Sequence, residues 1–143
     1  MRHWRLNEIE TPEGSRSPAV LDSVEGERRI VLIGLDAGQE LGEHQVKESA
    51  LLLVVDGQVR VDAGNESIDA GAGELFRFDR DERHSVTSDG RARLLLLLAP
   101  WPGDGHYREG ESRAGVNASW WGRTRRRAGA LPTGGTRSGR SRT

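Results

Sequence analysis

Two histidines, His44 and His84, stand on either side of a run of β-forming residues, Leu51-Leu52-Leu53-Val54-Val55-Asp56-Gly57-Gln58-Val59-Arg60-Val61. The chain has four His and no Cys, so a thiolate site and a disulfide framework are both excluded. Imidazole remains the side chain best suited to chemistry here, and neutral imidazole is a good ligand for zinc, nickel, copper or iron. The plainer alternative is a polar pocket in which the two rings bond each other or water. His3 and His106 read as solvent-exposed.

For His44 and His84 to act together, the strands carrying them must lie side by side. Asp56-Gly57 between two β-rich runs is a strong hairpin signal, because Gly supplies the positive φ of a two-residue turn without strain. Further turn signals follow at Gly64-Asn65, Gly71-Ala72-Gly73, Asp79-Arg80-Asp81 and Asp89-Gly90. Short strands at that interval predict an antiparallel sandwich or barrel. Ala19 to Val24 and Arg29 to Leu35 read as the first two strands, and Leu41 to Glu48 as a polar strand containing His44. Glu66 to Asp69 and Glu74 to Phe78 follow, and His84 to Thr87 is expected to pair through Asp89-Gly90 with Arg91 to Ala99. Phe76 and Phe78 share one face of their strand, with Arg77 on the other. By the same alternation Glu48 falls on the side of His44 and Val46, and Glu82 on the side of His84. The five leucines Leu94 to Leu98 fill both faces of one strand, so the outer face needs a second sheet or a partner subunit.

The glycine and histidine spacing resembles the two-motif core of the cupin superfamily, in particular its small single-domain, cupin-2-like and RmlC-like members. The first motif runs Gly38, five residues, His44, Gln45, then Val46 where the family has a second His, Ala50 where it has Glu, and Gly57. The second runs Gly73, five residues, then Asp79, Asp81, His84 and Ser88, with the family's Pro, Gly and Asn replaced. The resemblance covers about residues 28 to 100. It implies an all-β double-stranded β-helix, or jelly-roll, barrel with His44 and His84 pointing into one mouth.

The resemblance also implies a metal held by three His and one Glu on the inner wall, of which only His44 and His84 carry over. Glu48 or Glu82 would have to substitute, around zinc, nickel, iron or manganese. Val46 and Ala50 cannot ligate, and fewer than three protein ligands rarely make a stable site. The preferred reading is a binding or regulatory module with a degenerate metal site. Its pocket is formed by His44, Val46, Ala50, Phe76, Phe78 and His84, and takes a small, partly apolar ligand with a polar head. The alternative is a metal-dependent enzyme of the dioxygenase or isomerase kind. A homodimer burying the outer leucine face is expected in either case. Trp101, between two prolines, reads as a packing plug at the barrel mouth.

Charge is distributed unevenly. Residues 122–143 hold seven of the 21 basic residues and no acid, leaving 14 basic against 22 acidic residues in the rest. That tail has almost nothing to bury, which predicts disorder. It lacks the interleaved aromatics of a nucleic-acid reader, so nucleic acid is not an expected partner. The expected organisation is an N-terminal arm over 1–15, a barrel over 16–100, an irregular extension over 101–121 and the basic tail. The longest apolar run, Leu94 to Pro100, is far below the ~20 residues that span a bilayer, and the start, Met1 to Glu8, lacks the ~7–15-residue apolar region of a signal peptide, so a cytoplasmic protein is expected.

Overall fold

The computed structural model describes residues 1–11, 18–44, 46–106 and 124–126. Ten strands are described: β1 (Ala19–Val24), β2 (Arg28–Leu35), β3 (Gln39–His44), β4 (Ser49–Asp56), β5 (Gln58–Ala63), β6 (Glu66–Gly71), β7 (Leu75–Phe78), β8 (His84–Ser88), β9 (Ala92–Ala99) and β10 (Thr124–Arg126). They form two five-stranded antiparallel sheets, ordered β1-β2-β9-β4-β7 and β10-β3-β8-β5-β6. The fold is an all-β jelly roll. Among the described residues no helix is long and apolar enough to cross a membrane. Of the basic tail, only β10 lies within the described residues, paired antiparallel with β3 from Thr124 opposite Leu41 to Arg126 opposite Gln39.

Period-2 alternation sets the inward rows. Val31, Ile33 and Leu35 of β2, Ala50, Leu52 and Val54 of β4, and Leu94, Leu96 and Leu98 of β9 face Val59 and Val61 of β5 and Val86 of β8 across the core. Each fully buried branched residue contributes about 2 kcal/mol through area removed from water.

The turn signals at Asp56-Gly57 and Asp89-Gly90 are real, but the pairing expected across them is not. β4 pairs with β7 and β9, whereas β5 pairs with β6 and β8, so the segment expected to be a hairpin crosses between sheets. The turn before β9 does the same, because β8 lies beside β3 and β5. A positive-φ glycine allows a sharp corner and is silent on which strand becomes the neighbour. Local hairpins form instead through Gly64-Asn65 and across 25–27. Both crossings meet at one corner: a Cβ on Gly57 (φ +88°) would stand 2.7 Å from Ala92 Cα and strike the Arg91 carbonyl.

The strand expected over 41 to 48 also ends early. β3 stops at His44 and β4 starts at Ser49, with 46–48 outside both strands, so strand parity does not run from His44 to Glu48. The Val46 carbonyl accepts the Asp81 N–H at 2.8 Å, which ties this connection to the turn before β8.

The N-terminal arm lies over the outer side of β9. Arg93, nearly buried, donates to the carbonyls of Leu6 and Ile9, and Arg91 donates to that of Thr11 at 2.7 Å. Leu95 and Leu97, the outward leucines, are half-buried, while Leu51 and Leu75 beside them stay exposed.

The shared corner generates a direct test. Gly73 also has positive φ (+92°), yet a Cβ there meets nothing within 4 Å. Gly73→Ala is expected to cost about 1 kcal/mol of backbone strain, and Gly57→Ala about 3 kcal/mol or more because the strand crossings must separate. Urea unfolding of the two variants checks the ranking.

Candidate functional site

One end of the barrel gathers the last residue of β3, the first of β4, the last of β7 and the first of β8. His44 and His84 are opposed directly across neighbouring strands, as the motif resemblance implies for their backbones. Ala50 faces Phe78 across the β4–β7 pair.

His84 is buried, its ring stacked on Phe78 with centroids 3.9 Å apart and planes 3° from parallel. Its Nδ1 lies 3.0 Å from the Glu82 carbonyl oxygen. A carbonyl only accepts, so Nδ1 carries the hydrogen and Nε2 is the acceptor nitrogen. Burial pushes the His84 pKa down, against a smaller upward pull from Glu82. The ring is therefore held neutral, in one tautomer, with its plane fixed.

Phe78, Val46 and Ala50 belong to the buried core, and Phe76 is half-buried against it, 6.3 Å from the Phe78 ring. The structure thus brings Val46, Ala50, Phe76, Phe78 and His84 to one apolar barrel end. Beside it a cleft of about 280 Å³ opens, lined by Asp62, Ala63, Gly64, Arg83, His84 and Ser85.

The two carboxylates weighed as substitute ligands part company. Glu82 accepts the Asp79 N–H at 2.8 Å and caps the turn before β8. Glu48 does turn inward, on the row of Ala50, Leu52 and Val54, and is fully buried. Its partner is His106, whose Nδ1 lies 2.6 Å from Oε1.

His106 is the residue that sequence reasoning missed. It was expected on the surface, as His3 is, but its side chain is only 8 % exposed. After β9 the chain folds back as a strap over 101–106. Gly103 presses on the connection before β4 so closely that a Cβ would stand 2.5 Å from the Lys47 carbonyl oxygen. Trp101 is the expected plug: it is buried, meets the His106 ring edge-to-face at 4.5 Å, and has the Arg29 guanidinium 4.8 Å above it. Its carbonyl accepts the Gly26 N–H at 2.6 Å. The available signal was Gly-Asp-Gly at 103–105, turn chemistry able to return a following His onto the barrel.

Among the described residues no three His, Asp or Glu side chains converge to hold a metal ion. The donors explain this: Val46 and Ala50 cannot ligate, Glu82 caps a turn, and Glu48 is met by His106. The described residues do not fit a metal centre of three His and one Glu.

The His84 geometry predicts a pH dependence. Because the folded state disfavours protonated His84, its contribution is complete above the ordinary value of 6.5 and is lost as pH falls through the window below it. Urea midpoints followed from about pH 7 to about pH 5 are expected to fall less in His84→Phe than in the parent chain. An unchanged slope would show that His84 is not held neutral.

Comparison with known proteins agrees with this architecture. A cupin-domain family model matches residues 31–99. A protein from Thermus thermophilus superposes with TM-score 0.62 at 20% identity, covering 70% of this chain and 98% of its own. A cupin superfamily protein from Desulfitobacterium hafniense gives 0.59 at 18% identity, covering 65% and 84%. An RmlC-like cupin with a double-stranded β-helix fold from Methanocaldococcus jannaschii gives 0.53 at 16%, covering 65% and 89%. No curated protein matches the chain. Residues 31–99 match the cupin domain, and the fold is that of the cupin superfamily.

Proposed function

We propose that this cupin domain binds a small, partly apolar molecule with a polar head at the barrel end around His84, and serves as a binding or regulatory module. The observation that carries the reading is the neutral His84 ring, fixed between Phe78 and the Glu82 carbonyl at the edge of a cleft. Such a ring borders the cleft together with Asp62, Arg83 and Ser85, and Phe78, stacked on it, ties it to the apolar barrel end of Val46, Ala50 and Phe76. A few oriented polar groups in an apolar wall are what a small-molecule site requires.

The opposition of His44 and His84 on adjacent strands favours a second reading. Both imidazoles and a carboxylate would hold a divalent transition metal in an enzyme of the dioxygenase or isomerase kind. In either reading the exposed Leu51 and Leu75 support a homodimer through the outer sheet face.

One preparation tests all of this. Protein purified without added metal is expected to sediment as a dimer and to carry far less than one metal ion per chain. Phenols and aliphatic alcohols should raise its melting temperature in the presence of a chelator, and His84→Ala should abolish that rise. Stoichiometric metal, with stabilisation lost to the chelator, would overturn the metal-free reading in favour of the metal-dependent one. A monomer at high concentration would remove the dimer.

A further inference from the structure

Glu48 is a fully buried carboxylate on a row otherwise filled by Ala50, Leu52 and Val54. Neither of its oxygens has a hydrogen bond of ordinary geometry among the described residues, and His106 Nδ1 approaches Oε1 to 2.6 Å. A plug selected for stability alone would be apolar, because burying a carboxyl and an imidazole offsets most of what their contact contributes. Here the plug presents a basic ring, flanked by the Trp101 indole, to a carboxylate inside a ligand-binding fold. The strap is fastened at its own end of the barrel, by Gly26 N–H to the Trp101 carbonyl and by the Arg29 guanidinium over the indole.

We propose that Glu48 is a binding site for a small protonated nitrogen base, an imidazolium, amidinium or primary ammonium, and that the 101–106 strap is its intramolecular competitor. The His106 ring occupies the place of the ligand's cationic group, and Trp101 that of its apolar part. A ligand that pairs with Glu48 displaces the strap and opens the barrel end to solvent. This rests on the reading that this end of the barrel takes a small molecule, and it adds the charge of the molecule and the device that excludes weaker ones.

Imidazole is the probe, and pyrazole, a ring of the same size that stays neutral, is the control. In the full-length parent chain imidazole is expected to bind saturably and to accelerate hydrogen exchange at the Gly26 amide, whose acceptor leaves with the strap. Pyrazole is expected to do neither. Removing the competitor with His106→Ala should tighten imidazole binding about ten-fold or more, because the competent, strap-open state is a small minority of the parent chain. If His106→Ala fails to fold, the Gly26 measurement on the parent chain decides alone. Equal binding of imidazole and pyrazole, an unresponsive Gly26 amide, or unchanged affinity in a folded His106→Ala would each overturn the proposal. In those cases stabilisation by phenols that depends on His84 would leave the general reading standing, and its absence would remove both.

Discussion

A carboxylate with no access to water is the constraint around which this end of the molecule is built. Moving Glu48 out of solvent costs several kcal/mol unless a partner meets it in the interior. His106 is that partner, and it lies beyond β9. The chain must therefore turn back after Ala99. Gly103 has to press on the backbone before β4, and Trp101 must enter the core. The rest of the barrel, with apolar inward rows from both sheets, tolerates one such charge because it sits at the rim of the core.

That arrangement changes what the two family motifs mean here. Their glycines and the strand run around them shape the same barrel, but Val46 and Ala50 replace donors with apolar surface. The polar groups that remain are spread out: His84 is neutral on Phe78, Glu48 faces the strap, and Glu82 caps a turn. Groups placed this way hold and orient an organic molecule more readily than they share one cation. Fold membership alone would not have distinguished the two, since one barrel hosts many chemistries.

Much of the architecture was legible in the sequence. The first two strands, the facing of Phe76 and Phe78, the Trp101 plug and the opposition of His44 and His84 all follow from alternation and motif spacing. The sheet crossings were not legible, because Asp56-Gly57 reports a sharp reversal and leaves the neighbour of β5 unspecified. The competing information is long-range: Leu52 and Val54 find their complement in Leu96 and Leu94 of β9, 40 or more residues away. The Glu48–His106 pair was hidden for the same reason, aggravated by a polar, glycine-rich stretch that offers no periodicity from which to read burial.

The most direct test of the account is a double-mutant cycle on that pair, with Glu48→Gln, His106→Gln and the double variant compared by urea unfolding. Breaking one side of a buried pair should cost about 3 kcal/mol or more. The double variant should cost no more than the worse single one, a coupling of about 3 kcal/mol. Additive losses would show that Glu48 and His106 do not depend on each other, and the strap would then be held on the barrel by Trp101 alone.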